Sequence, residues 1–307
     1  MISICVNYCY TAFCFIRSLP SINFPEEFYV ANKTIEEKNI YRPAPPRLVQ
    51  VKKIFDVTPN MRSITFESEN LDTYPTECEG GLVKIFLPLP GQTKPILPTL
   101  SPEGPIWPAK ELRPVTRAYT VRALRSEQKE IDIEFALHDH GGPAVEFAHR
   151  AKIGDWIGIT NPGGPDPLLP KVSNYYMAGD PSSLPAIAAL LETMKPDAAG
   201  QVIIRIESEQ DIQKLKKPAG ITIHWITGGV EVTDKMVSTF KSWSLPTEDV
   251  TFWLAGEDKM VKALRRYVRR EKGYERHQLY AIPYWRHGFN EEGYHELRHE
   301  VMDSFAL

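Results

Sequence analysis

"YYMAGDPSSLPAIAALLETM", residues 175–194, changes rhythm within a few residues. Tyr175 to Ala178 is a short apolar run of the kind that fills a buried strand. From Ser182 onward the apolar residues recur at helical spacing, and the entry carries serine and proline, which suit a helix start. A strand passing through a tight turn into a helix is one unit of a doubly wound parallel sheet. The alternation continues downstream. "QVIIRIE" precedes a polar stretch of helical pattern, "ITIHWIT" precedes "TDKMVSTFKSW", "VTFWLAG" precedes "EDKMVKALRRYVRR", and "QLYAIPYW" closes the set.

Upstream the rhythm is different. "RLVQVKKIF", "RSITFES", "LVKIFLPL", "TRAYTVRAL", "EIDIEFAL" and "DWIGIT" are short runs rich in β-branched and aromatic residues, set between turn formers from Arg47 to about Pro162. They predict about six strands, enough for a small β-barrel. One long proline-bearing connection, residues 90–115, calls for a function or a fixed path. "PGGPDPLLPKVS", residues 162–173, reads as the linker. The expected layout is therefore an N-terminal extension over 1–40, a barrel over 41–165, an α/β domain over 166–290 and a tail or helix over 291–307.

Bulk properties narrow the function. The 307 residues carry a formal net charge of −3, so no nucleic acid partner is expected, and any basic patch must be local. The cysteines are Cys5, Cys9, Cys14 and Cys78. Beyond Cys78 there is nothing to pair with, which suits a reducing cytoplasm. "MISICVNYCYTAFCFIRSLP" has no basic residue before Arg17, and Asn7, Tyr8, Tyr10 and Thr11 interrupt it. It departs both from a secretory signal and from a membrane span. The segment is expected to be a disordered extension, or to precede a true start nearer Val30, with no stable membrane association.

Within "TRAYTVR", residues 116–122, strand alternation puts Arg117, Tyr119 and Val121 on one face and Thr120 and Arg122 on the other. A cation, a flat ring and a hydroxyl suit a flat, phosphorylated ligand. "HDHGGPAVEFA" places two glycines and a proline at a predicted helix start, where the N–H groups of Ala144 and Val145 are available to an anion. No G-x-G-x-x-G occurs, so the usual dinucleotide fingerprint is absent. "HELRH", residues 295–299, satisfies a zinc-protease pattern, but only eight residues follow it and none is histidine. An exposed terminal helix is the expectation there, and no metal site.

"RPVTRAYTVR", "LHDHGGPAVEFA", "GDWIGITNPGG", "MAGDPSSLPAIAALLE", "FWLAGEDKMVKALRRYVRRE" and "YWRHG" follow one another in this order. Together they resemble the siderophore-interacting proteins, bacterial FAD-dependent reductases of ferric siderophores, from about Arg42 to Gly288. The resemblance implies a ferredoxin-reductase-like fold, in which a β-barrel for FAD precedes a doubly wound NAD(P)H-binding domain. It implies that Arg117 lies by the FAD phosphates, Tyr119 packs on the isoalloxazine and Thr120 bonds near N5, with Val121 and Arg122 completing the strand. His138, Gly142, Pro143, Ala144 and Val145 would hold the pyrophosphate, although the family commonly has serine at 145 and tryptophan at 147. Gly179, Asp180, Ser182 and Ser183 would receive the nicotinamide cofactor. Glu207 suits the ribose of NADH, and Arg205 or Lys214 would serve NADPH. Lys84, Lys259, Lys262 and Arg266 are the candidates for attracting an anionic ferric siderophore. The family's arginine in G-P-R-G is replaced by Gly163. The implied protein is a cytoplasmic, monomeric ferric-siderophore reductase. The alternatives are a flavin reductase with another acceptor and a non-enzymatic siderophore-binding module.

Overall fold

The computed structural model describes residues 44–138, 141–289 and 293–294; the N-terminal segment, His140 and the "HELRH" motif lie outside them. The first half is a seven-stranded antiparallel sheet. Its strands are β1 (Arg47–Thr58), β2 (Met61–Glu67), β3 (Leu82–Leu87), β6 (Val115–Thr120), β7 (Ala123–Arg125), β8 (Glu130–Ala136) and β9 (Trp156–Ile159), in the order β6-β3-β9-β1-β2-β8-β7. Register shifts at Val51/Lys53 and Asp56/Thr58 bend β1, and such bulges curl a sheet toward closure. The ends of the sheet meet, with the Tyr119 and Phe135 rings 4.5 Å apart across the seam. Val49, Ile64, Phe66, Val83, Ile85, Ile131 and Phe135 fill the interior. α1 (Pro143–Arg150) lays Ala144, Ala148 and Phe147 against the same core.

The expected strand "TRAYTVRAL" is two strands. Val121 turns into the core and its N–H bonds to the Gly81 carbonyl at 2.9 Å, which breaks the ladder between β6 and β7. The proline-bearing connection after β3 contains a small hairpin, β4 (Thr99–Ser101) with β5 (Gly104–Ile106).

The second half is a five-stranded parallel sheet. β10 (Asn174–Gly179), β11 (Ala199–Ile206), β12 (Gly220–Thr227), β13 (Val250–Glu257) and β14 (Leu279–Trp285) are ordered β12-β11-β10-β13-β14. α2 (Leu184–Thr193) covers one face, and α3 (Thr233–Lys241) with α4 (Asp258–Arg266) covers the other. The polar stretch after β11 is not an α-helix. It holds one 3₁₀ turn, Glu209–Asp211, closed by a Ser208–Asp211 capping box, and then runs without regular secondary structure to β12. Its polar residues lacked the apolar stripe that would bury a helix face.

Met61 of the antiparallel half belongs to the same apolar cluster as α2, so the two halves share buried surface. Asp211 accepts from the Asn60 backbone N–H at 3.0 Å and from Asn60 Nδ2 at 2.8 Å. Arg122 bonds Glu192 of α2 at 2.8 Å and lies 3.3 Å from Glu134 of β8. Glu134 is 8% exposed, and its Oε2 has no hydrogen-bond partner among the described residues. Burial pushes its carboxyl up to about 6 against the pull of Arg122, with Asp132 and Glu192 adding to the rise. A carboxyl with a raised folded-state pKa stabilises the fold below its unfolded value and loses that contribution as pH rises through the folded value. Glu134→Gln abolishes the ionisation. Its stability relative to the parent should therefore grow by roughly 2 kcal/mol between about pH 4 and about pH 8. Urea unfolding across that range measures the difference. A difference that stays flat would mean that water reaches the carboxylate.

Candidate functional site

The geometry around β6 follows from its pairing with β3. Residues directly opposite in an antiparallel pair share a face. Val83 stands opposite Tyr119 and Ile85 opposite Arg117, and both partners from β3 are fully buried. Arg117 and Tyr119 therefore line the inner side of the seam, where Tyr119 packs on Phe135, and Phe135 in turn on Phe147 of α1. Arg117 Nη1 donates to the Thr116 carbonyl at 2.9 Å, and its side chain is half-buried.

α1 begins beside this face. Gly142 precedes it with φ 124°, no side chain caps it, and Pro143 takes the first turn. The first N–H to bond within the helix is that of Glu146, to the Gly142 carbonyl at 2.9 Å. The N–H groups of Ala144 and Val145 thus point out of the start of the helix with the positive end of its dipole. A Cβ at Gly141 or Gly142 would meet nothing within 4 Å, so the approach is open. An arginine, a flat ring and an uncapped helix start gather on one side of the barrel. These residues fit the phosphates and ring of a flavin dinucleotide. Val145, where the family commonly has serine, is a buried residue whose contribution is its backbone. His138 follows β8 and is exposed.

Thr120 belongs to the other face. It stands opposite Leu82, and Lys84 stands opposite Ala118. Lys84 and Thr120 are diagonal neighbours on the outer face of β3–β6, and Lys84 is exposed. The Thr160 hydroxyl accepts from the Lys84 N–H at 3.1 Å and fixes the strand beneath it. The Arg122 guanidinium is held by Glu192 and Glu134 at the junction with α2.

The turn from β10 into α2 is built around a buried carboxylate. Asp180 is 2% exposed. Its carboxylate accepts from the Ser182 N–H at 2.9 Å, the Ser182 hydroxyl at 2.5 Å, the Glu257 N–H at 2.7 Å and Trp285 Nε1 at 2.8 Å. Ser183 is fully buried, and its hydroxyl donates to the Ala255 carbonyl at 2.9 Å. A Cβ on Gly179 would lie 2.3 Å from that hydroxyl. Asp180 and Ser183 tie the ends of β10, β13 and β14 together and build the carboxyl edge of the sheet, the edge where doubly wound folds bind ligands. Only Ser182 of the four faces solvent. Further along that edge, Arg205 is buried and its Nη1 donates to Glu207 at 2.7 Å and to the Gly228 carbonyl at 2.9 Å.

The basic residues of α4 are not brought together with Lys84. α4 covers the sheet face opposite α2 and the antiparallel half. Lys259 pairs with Asp234 at 2.9 Å and Lys262 with Asp258 at 2.8 Å. Arg266 stands about 10 Å down the helix from Lys259, toward the amino edge of the sheet. The long connection after β3, which the sequence marked as needing a function or a fixed path, brings Trp107 against Phe86 on the Lys84 face of β3; that particular contact was not foreseen. The aromatic residue in a proline-rich loop was the available signal.

An antiparallel flavin-sized seam joined to a parallel sheet with an open carboxyl edge defines the ferredoxin-reductase-like flavoprotein class. Within that class the chain belongs to the siderophore-interacting protein family. A model of the siderophore-interacting FAD-binding domain matches residues 50–166, and a model of the siderophore-interacting protein matches residues 172–288. The chain is 36% identical over 261 residues to the ferric vibriobactin reductase ViuB of Vibrio cholerae, covering 84% of this chain and 96% of that one. It is 29% identical over 246 residues to the NADPH-dependent ferric-chelate reductase of Escherichia coli, covering 78% and 92%. The crystal structure of the siderophore-interacting protein SipS from Aeromonas hydrophila superposes with a TM-score of 0.76 at 43% identity, covering 84% and 98%. No described helix is long and apolar enough to cross a membrane, and no cluster of metal ligands occurs among the described residues.

Proposed function

We propose that the protein reduces the iron of ferric siderophores, with FAD as its bound cofactor and NADPH or NADH as electron donor. The observation that carries this is the meeting of Arg117, Tyr119 and the uncapped start of α1 on one side of the barrel, with an exposed lysine, Lys84, on the outer face of the neighbouring strand β3. When bound, FAD would supply hydride acceptance from the nicotinamide and one-electron transfer to each of two ferric ions, with one proton released. The chain's own groups bind and orient. Arg117 and the N–H groups of Ala144 and Val145 meet phosphate charge. Tyr119 covers a flat ring face with its own ring held by Phe135. The family resemblance assigns the Thr120 hydroxyl to exchange hydrogen bonds at the ring edge. Ser182 and the small residues of the β10–α2 turn leave room at the carboxyl edge for the nicotinamide donor. Hard oxygen ligands hold Fe(III) well and Fe(II) less well, so reduction loosens the metal.

The reading extends to a monomer acting in the cytoplasm, without nucleic acid and without stable membrane association. The test is an absorption spectrum of the purified protein. A flavin band should bleach anaerobically with NADH or NADPH, and a ferric siderophore should restore it. A colourless protein, or one that bleaches and is not reoxidised by ferric chelates, would overturn the reading.

Lys84 supplies a mobile point charge on an accessible surface. Lys84→Ala should raise the apparent KM for an anionic ferric siderophore several-fold. The effect should fall on the chelate step, not on hydride transfer followed by stopped flow. It should shrink as ionic strength rises, since an exposed charge is screened over about 8–10 Å in physiological salt. Chelate kinetics equal to the parent's at low salt would remove Lys84 from the site.

A further inference from the structure

The turn between β1 and β2 is held from both halves of the molecule. Asn60 lies in it, just after the register shift at Asp56/Thr58, and such a shift re-aims a hairpin. The Asn60 carbonyl accepts from the Leu137 N–H at 2.9 Å, which fastens the turn to the end of β8, on the approach to α1. On its other side the turn meets Asp211, in the 3₁₀ turn that follows β11. Asp211 Oδ1 accepts from the Asn60 N–H at 3.0 Å, and Oδ2 from Asn60 Nδ2 at 2.8 Å. The Ser208 N–H donates to the same Oδ2 at 3.1 Å, beside Glu207 at the carboxyl edge of the sheet. One asparagine is thus bonded both to the strand that leads into α1 and to the edge where doubly wound folds bind ligands.

Apolar packing alone does not set the angle between the halves here. Met61 enters the apolar cluster of α2, but such contact is non-directional. Beside it lies a cavity of about 10 Å³, room for about one water molecule, lined by Thr58, Pro181, Leu184 and Gln213 together with Asn60 and Asp211. Gln213 Nε2 is buried and has no hydrogen-bond partner among the described residues. The directional bonds are those of Asp211, which is 5% exposed. Burial raises its carboxyl, yet the side chains of Asn60 and Thr58 and the N–H groups of Asn60 and Ser208 outweigh that and hold it below the ordinary aspartate value. Its bonds to Asn60 are therefore charge-assisted. A hydrogen bond fades steeply beyond its ordinary length, so a displacement of about 1 Å between the halves breaks both together. The second polar tie, Arg122 to Glu192, lies about 12 Å along α2 from Leu184. Without the Asp211 tie the parallel sheet can pivot about that one.

We propose that Asn60 and Asp211 are positioning residues for hydride transfer, holding the carboxyl edge of the parallel sheet in place against the flavin side of the barrel. This rests on the functional reading above. In that step the C4–H bond of the nicotinamide breaks, the hydrogen leaves with its electron pair, and an N5–H bond forms on the flavin. The nicotinamide is oxidised and the flavin reduced. The reacting atoms must approach to about 3–3.5 Å, and an error of about 1 Å costs on the order of a hundredfold. The two residues act through the halves that they join.

The experiment uses the full-length, FAD-loaded protein. Anaerobic stopped flow gives the limiting rate of flavin reduction and the apparent dissociation constant of NADH or NADPH. Asp211→Asn should lower the limiting rate about tenfold and Asn60→Ala about threefold, with the dissociation constant changed by less than about twofold. The double variant should be no slower than Asp211→Asn, because the pair acts as one unit. FAD affinity and the flavin midpoint potential, set by the barrel, should match the parent's. Ser208→Ala removes only the hydroxyl bond to Asp211 at 3.3 Å and should reduce at the parent's rate. Hydrogen exchange followed by NMR reads the tie without turnover: the Asn60 amide should exchange about tenfold faster in Asp211→Asn, while Ile64 in β2 stays protected. Reduction at the parent's rate in both variants, or an unchanged Asn60 amide, would overturn the proposal. So would an equal loss in Ser208→Ala or weakened FAD binding, which would make Asp211 a support of local folding. A raised dissociation constant at an unchanged limiting rate would make it a contact of the nicotinamide donor instead, and would also overturn it. In each of these cases the parent's own flavin reduction stands. If NAD(P)H does not bleach the parent, the functional reading fails and takes the inference with it.

Discussion

Replacing Arg117 with alanine should weaken FAD binding by about 1.5–3 kcal/mol, roughly tenfold to a hundredfold, the range for hydrogen bonds to a charged group. Arg117 is half-buried in the seam, on the inner side of β6 with Tyr119, so its attraction for phosphate is less screened than that of a surface lysine. Arg117→Lys keeps the charge but loses the planar fork, and should recover only part of the affinity. Flavin titration of the apoprotein, followed by fluorescence quenching, measures the effect. Thermal unfolding of the flavin-free parent and variant, measured alongside, separates a loss of affinity from a loss of stability. An alanine variant that binds FAD as tightly as the parent would place the phosphates elsewhere.

The largest stability effect is expected at Asp180. Four donors converge on its buried carboxylate, from Ser182, Glu257 and Trp285. Asp180→Ala removes the acceptor and leaves the Glu257 N–H and Trp285 Nε1 without their partner. Breaking a buried charged network by deleting one member costs about 3–5 kcal/mol. The cost falls on the carboxyl edge of the parallel sheet, because the network joins β10, β13 and β14. A fall in Tm of roughly 6–15 °C is expected in a domain of this size. Asp180→Asn keeps one oxygen but turns an N–H₂ group toward other donors, so it should recover little. A variant that unfolds with the parent but fails to be reduced by NAD(P)H would instead assign Asp180 to the cofactor, as the sequence suggested.

The fold was legible because each half obeys one period. Strand alternation in "LVKIFLPL" and "EIDIEFAL", and the strand–turn–helix unit at residues 175–194, announce their burial in the order of their side chains. Helical spacing likewise marked α1 to α4. It overreached at residues 208–217, where polar residues offered a helix nothing to bury and a capping box closed a single turn. That Arg117 and Tyr119 share a face could be read from alternation alone, since residues two apart on a strand share a face.

What the sequence by itself determined is local: which runs are strands or helices, where a helix starts without a side-chain cap, and which ordered motifs place the chain in its family. The tertiary structure alone decided which charges meet. Lys259, Lys262 and Arg266 look like a basic stripe in sequence, yet α4 carries them to the sheet face away from Lys84, and Asp234 and Asp258 pair with two of them. Arg122 resembles a second phosphate ligand until α2 brings Glu192 to it. Trp107 lies 23 residues from Lys84 in the chain and becomes its neighbour only because the connection folds back over β9 and β3. The physical reason is common to all three. Backbone pattern is written in neighbours three or four residues apart, whereas ion pairs and aromatic contacts are set by packing between elements that the chain order does not rank by distance.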